Sequence, residues 1–255
     1  MLLGLLGLLG SGFVGCRPAS APEPITIGPV MSPPAPGTDA PERPVSILSA
    51  HLAVKDAPVL EGKDALPVVF SAHVDPASLQ ANGFVVAFAD GNRVIPDDAM
   101  LAPANEADEN RTVLLVGEFA NEQDEQAEPT DVVVIGKLFT EDGDELEGLS
   151  ADVLPFDTAG RVVLAEHLLP HSDDVGAVCP DASQVVRTYW IDGLREVQAE
   201  DAAKIEIVLD DERVVRPIGF DDHDLDDQTA QDNVLDLCVG ESSRARRVKM
   251  PAGLF

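Results

Sequence analysis

From Leu66 to Val74 the chain reads LPVVFSAHV, with Leu66, Val68, Phe70, Ala72 and Val74 on one face and Pro67, Ser71 and His73 on the other. Successive side chains of a strand point to opposite faces, so this period of two predicts a half-buried strand, closed by the turn pair Asp75-Pro76. Phe84–Phe88 predicts a second strand, ended by Asp90-Gly91-Asn92, and the runs Arg111–Phe119 and Asp131–Phe139 predict two more. The polar stretch 121–129 between them has nothing to bury and reads as a loop. Asp142-Gly143 predicts a hairpin of type I′, whose central residues need positive φ. Further along, Arg161–Leu169, Gln184–Ile191, Ala203–Leu209, Arg213–Ile218, Val234–Val239 and Arg244–Met250 are strand candidates. Asp210-Asp211-Glu212 joins two of them as a hairpin, and residues 196–204 offer one short helix. Short strands at this spacing, without a long amphipathic helix, predict an all-β chain of two β-sandwich domains, at 45–157 and 158–255.

Composition agrees with that class and narrows the partners. Hydrophobic residues form 45% of the 255, enough for real cores, but aromatics are only 4%. The cores are therefore built from Val, Leu, Ile and Ala, a palette that suits strands. The net charge of −29 falls mainly on the two modules, −18 on residues 45–157 and −10 on residues 158–255. Such a surface repels phosphate backbones, so a nucleic-acid partner is not expected. Solubility is the simplest use of the charge, and divalent-cation binding the next.

Residues 1–15, MLLGLLGLLGSGFVG, are uncharged and apolar from Leu2 to Leu9. As a helix they would reach about 22 Å, short of the ~30 Å hydrocarbon core, so they fit a signal peptide better than a permanent span. The junction Phe13-Val14-Gly15-Cys16 resembles a bacterial lipobox, with Phe13 where Leu is usual and no basic residue ahead of the apolar run. That resemblance implies cleavage after Gly15, lipid on Cys16, and a membrane partner reached through the lipid. Three cysteines are an odd number for an exported chain. Lipid on Cys16 would leave Cys179 and Cys238 to pair, closing a loop of about 60 residues worth roughly 4 kcal/mol in an oxidising compartment. Arg17, where Asp would mark inner-membrane retention in lipoproteins of enteric type, points to the outer membrane. Residues 16–44 are dense in proline, which removes backbone donors and favours extended polyproline II. They read as a semi-rigid linker that lifts the ectodomain off the membrane and does not join a packed core.

Within 45–156, "FSAHVDPASLQANGFVVAFADGNRV", then a strand at "RTVLLVGEF", then "VVVIGKLFTEDGDELEG" resembles the bacterial Ig-like domains of the SbsA type. The acidic stretch 121–129 departs from that pattern. The resemblance implies an adhesive, spacer or wall-associated role rather than catalysis. In the second module Cys179, Trp190 and Cys238 are similar in order to the Cys…Trp…Cys arrangement of immunoglobulin domains, with Asp236 where a tyrosine corner would place Tyr.

Catalytic motifs are missing: no Gly-x-Ser-x-Gly elbow, phosphate loop, dinucleotide fingerprint or His-Glu-x-x-His. No catalytic residue is assigned. The histidines, at 51, 73, 167, 171 and 223, are scattered; His167 and His171 have i, i+4 spacing, but Pro170 intervenes and no further zinc ligands are placed. Trp190 reads as core. The run Asp221-Asp222-His223-Asp224-Leu225-Asp226-Asp227 sets alternate carboxylates at Asp222, Asp224 and Asp226, a candidate calcium loop. It is not an EF-hand, because Asp227 replaces the required Gly and Asn233 the bidentate Glu; a solvated loop is the simpler expectation. The expected role is a non-enzymatic envelope or surface lipoprotein, with no cofactor and an unknown protein or envelope partner. A hydrolase with a carboxylate site and a calcium-dependent adhesion module are the alternatives.

Overall fold

The computed structural model describes residues 24–31, 44–104, 109–120, 128–168, 179–194, 197–221, 232–251 and 253–255. The fold is all-β, as the periodicity predicts. The chain enters through β1 (Pro24–Pro29). The amino-terminal module then holds β2 (Ile47–His51), β3 (Val54–Ala57), β4 (Lys63–Phe70), β5 (Phe84–Phe88), β6 (Arg93–Val94), β7 (Asp98–Leu101), β8 (Thr112–Gly117), β9 (Pro129–Val134) and β10 (Ser150–Leu154). The carboxy-terminal module holds β11 (Val162–His167), β12 (Gln184–Trp190), β13 (Glu206–Leu209), β14 (Val214–Val215), β15 (Gly219–Asp221), β16 (Val234–Val239) and β17 (Ala245–Pro251).

In the amino-terminal module the strands form one sheet in the order β6-β5-β9-β10-β2-β4-β8-β7, with β3 also on β4. The sheet folds over on itself. Phe84 and Val86 of β5 and Val132 and Val134 of β9 share a core with Leu66, Val68 and Phe70 of β4 and Val113 and Leu115 of β8. The turn of direction comes at β10, which runs antiparallel to β9 and parallel to β2. β4 departs from the half-buried expectation: every residue from Asp64 to Phe70 is buried. One face packs into the core just named, and the other, at Val69, meets Leu164, Tyr189 and Val234 of the second module. The turn at Asp142-Gly143 also differs in type. Gly143 has φ +91°, but Asp142 does not enter the positive region, and the Gly143 amide donates to Thr140 O at 2.9 Å. That is a tight turn followed by a left-handed glycine, the three-residue hairpin form rather than type I′.

The carboxy-terminal module is a sandwich of two four-stranded sheets, β1-β17-β13-β14 and β11-β12-β16-β15. Ile207, Leu209, Val248 and Met250 of the first face Val186, Trp190, Leu235 and Leu237 of the second. The short helix expected at 196–204 is a 3-10 segment at Ala199–Lys204. The acidic hairpin is present: β13 and β14 pair antiparallel, and Glu212 takes φ 65° in the turn.

The position of β1 corrects the reading of residues 16–44 as linker throughout. β1 pairs antiparallel with β17, Pro24 opposite Pro251, Ile25 opposite Met250 and Thr26 opposite Lys249, with a register shift before Pro29. Val30 is buried in the carboxy-terminal core, and Met31 bridges to Glu166 of β11. The physical reason lies in the sequence PITIGP. Its prolines stand at the two ends of the strand, and Ile25-Thr26-Ile27 is a β-branched run that favours extended pairing. An edge strand needs only half its backbone donors, so proline is tolerated there.

Candidate functional site

The two modules meet on the outer face of the sheet containing β12 and β16. These strands pair in register, Val185 with Cys238, Arg187 with Asp236 and Tyr189 with Val234. Alternation sends Val186, Trp190, Leu235 and Leu237 inward, so the three pairs named first make three rows on the opposite face. Each row is chemically distinct: a disulfide, an ion pair, and an aromatic packed on an aliphatic.

In the disulfide row Cys179 and Cys238 are bonded, their Cα atoms 5.7 Å apart, and they pack with Val185 and half-buried Leu168 and Ala182. The immunoglobulin analogy does not carry over to this feature. Trp190 lies on the other face of the sheet, in the core between the sheets, edge-on to Phe255 at 5.2 Å with its indole Nε1 donating to Thr188 Oγ1 at 3.2 Å.

In the middle row the Arg187 guanidinium donates to both Asp236 oxygens, Nε to Oδ1 and Nη2 to Oδ2, each at 3.0 Å. Its Nη2 is also 3.1 Å from Oε1 of Glu109, which comes from the other module. All three side chains are buried. Two carboxyl groups on one guanidinium make a buried triad. Burial alone would lower the Arg187 pKa, but Asp236, and after it Glu109, hold it above its ordinary value. The arginine is thus permanently charged. Such a cluster is costly to bury, yet each member is strongly destabilising to remove once the others are in place.

Around the third row, Arg111 of the first module forks onto Glu166 of β11, Nε to Oε1 at 3.2 Å and Nη2 to Oε2 at 2.9 Å. The same guanidinium lies 5.5 Å from the centroid of the Tyr189 ring, a cation–π contact. Burial, reinforced by nearby Glu166, pushes the Tyr189 phenol well above its ordinary pKa and keeps it neutral. Asn233 Nδ2 donates to Thr112 Oγ1 across the junction at 2.8 Å and to Trp190 O at 3.1 Å. At the far end His51 Nε2 is 3.1 Å from Pro155 O; a carbonyl only accepts, so this nitrogen carries the proton. Its Nδ1 faces Asp192 of the second module at 3.9 Å. Burial lowers the His51 pKa, while Asp192 pulls the other way.

Carboxylates are the natural place to look for chemistry in so acidic a chain. Four are buried among the described residues: Asp64, Glu109, Asp201 and Asp236. Each has structural partners. Asp64 accepts three backbone amides, from Asp56 at 3.0 Å and from Phe119 and Ala120 at 2.6 Å each. Asp201 accepts from the Gln198 amide at 3.0 Å and from Lys204 Nζ at 2.6 Å. Glu109 and Asp236 belong to the triad.

Of the residues singled out in the sequence, Cys179 and Cys238 are brought together, and Trp190 is core. His167 Nε2 bonds Ala245 O at 2.8 Å. Cys16, His171 and the carboxylates Asp222, Asp224 and Asp226 lie outside the described residues. Among the described residues no three His, Cys, Asp or Glu side chains gather as a metal group. The triad itself was missed, although its signal is present. A lone Arg interrupts Val185-Val186-Arg187-Thr188-Tyr189-Trp190, and a lone Asp interrupts Val234-Leu235-Asp236-Leu237-Cys238-Val239. A single charge in an otherwise apolar strand, matched by the opposite charge in another, marks a buried pair. No family model, no curated protein and no solved structure matches this chain.

Proposed function

We propose that this chain is an exported lipoprotein, anchored through Cys16 in the outer membrane, whose acidic ectodomain serves a non-enzymatic binding or structural role in the cell envelope. The observation that carries this reading is how the buried charges are used. Glu109, Arg187 and Asp236 join two β modules, and Asp64 and Asp201 hold backbone amides. A catalytic carboxylate needs a site from which it reaches substrate; these four face protein groups. The net charge of −29 suits solubility and electrostatic choice of partners. The disulfide supports export, because such bonds persist in oxidising compartments, and it leaves Cys16 as the remaining cysteine for the lipid. The Ig-like assignment of the first module and its adhesive or spacer role belong to the same reading.

Metabolic labelling with a palmitate analogue tests the anchor. The wild-type chain is expected to take up label and to fractionate with membranes, and Cys16→Ser to do neither. Label retained in the variant would overturn the assignment.

A further inference from the structure

The lipid anchor and the ectodomain are joined by residues 17–44, 28 residues if all of them were free spacer. At about 3.1 Å per residue in polyproline II, that length holds the ectodomain up to ~90 Å from the lipid. The pairing of β1 with β17 removes most of it. Only residues 17–23 separate Cys16 from the first paired residue, Pro24. Eight peptide steps span at most about 28 Å. Resting on the reading of Cys16 as the lipidated residue, we infer that β1 is a docked section of the tether, which holds the carboxy-terminal module against the bilayer.

Three observations support docking as part of the fold. β1 completes a four-stranded sheet, lying on β17 with Pro24 opposite Pro251 and Pro29 opposite Arg247. Val30 is buried among the carboxy-terminal core residues, with its amide donating to Arg246 O at 2.9 Å. Met31 then crosses to the other sheet of the sandwich, its amide donating to Ala165 O at 2.8 Å and its carbonyl accepting from the His167 amide at 2.9 Å. A passing linker needs none of these. The partner that the ectodomain meets is accordingly one lying at the membrane surface, within reach of a short tether.

Two measurements on the full exported chain in vesicles test this. The chain has one tryptophan, Trp190, in the core that β1 helps to close. Energy transfer from Trp190 to dansyl-headgroup lipid is expected in the wild type. A Pro-rich insert of about twenty residues before Pro18, adding ~60 Å at about 3.1 Å per residue, is expected to lose most of it by restoring a long spacer. Transfer that the insert leaves unchanged would overturn the inference. Hydrogen exchange supplies the second arm, independent of lipid. The amides of Val30 and Met31, which donate to Arg246 O and Ala165 O, are expected to be protected together with those of β17, and exchange at coil rates at these two would overturn the docking. If the wild type and Cys16→Ser both fail to associate with vesicles, the anchor reading and the membrane distance fall together, while the exchange result still decides whether the strand is docked.

Discussion

The two modules reach a closed core by different means. The amino-terminal module is continuous in sequence and closes by folding one sheet over at β10, so its core is supplied entirely from within. The carboxy-terminal module takes an edge strand from residues upstream of the other module, pins its outer face with a disulfide, and buries an arginine that needs a glutamate from its neighbour. One is self-sufficient, and the other depends on a disulfide of its own and on a strand and a glutamate from outside its own sequence. Stability should follow that asymmetry, with perturbations of the supports falling first on the carboxy-terminal module.

The largest effect is expected from Arg187→Met. It leaves Glu109 and Asp236 buried side by side without their cation, and removal of one partner from such a cluster costs about 3–5 kcal/mol. Chemical denaturation should show that loss. Replacing all three members by apolar residues of similar volume should recover much of it; no recovery would mean that packing, rather than the uncompensated charge, governs the site.

Next comes the disulfide. Cys179 and Cys238 are 59 positions apart, and losing a native bond that closes such a loop costs roughly 2–5 kcal/mol. The double Cys→Ser variant, or reduction, should lower the melting temperature, with the Trp190 signal of the carboxy-terminal core lost ahead of the remaining strand signal. Equal loss in both modules would erase the contrast between them.

The smallest effect is the pH dependence of two histidines, His51 and His167. Burial lowers the pKa of His51 and of His167 below the ordinary 6.5. In the unfolded chain these rings take up protons near 6.5, whereas the folded chain resists until lower pH. Their contribution is therefore full above 6.5 and is lost as pH falls from there through the folded values. Stability measured from pH 7.5 to 5 should decline less steeply in a His51→Gln, His167→Gln variant than in the wild type. Identical slopes would contradict the burial account.

Much of the fold was legible in local pattern, and the junction was legible only in fragments. Phe84–Phe88 and Val234–Val239 are strands at the predicted bounds because apolar β-formers end at clear turn residues. β2, β3, β7 and β10 were not foreseen; they are short, and their placement depends on pairing with distant partners. Proline density masked β1, where the informative part was Ile25-Thr26-Ile27 between the prolines. The half-buried pattern around Leu66 omitted the second covered face, because nothing local says that Val69 will meet Tyr189. For the site, cysteine arithmetic found the disulfide. Asp236 stood out as the wrong residue for a tyrosine corner, but its partner Glu109 is 127 positions away, in a stretch with no strand of its own.

Glu109 is expected to lock the two modules into one cooperative unit through Arg187. The direct measurement is denaturant unfolding of the full chain followed at once by Trp190 fluorescence, which reports the carboxy-terminal core, and by far-ultraviolet circular dichroism, which reports all strands. Coincident transitions by two probes are the mark of a single cooperative unit. The wild type should give coincident curves. Glu109→Leu removes the inter-module arm and leaves the Arg187–Asp236 pair, so it should split them, with the Trp190 signal lost at lower denaturant. Separate transitions in the wild type, or coincident ones in Glu109→Leu, would contradict the account.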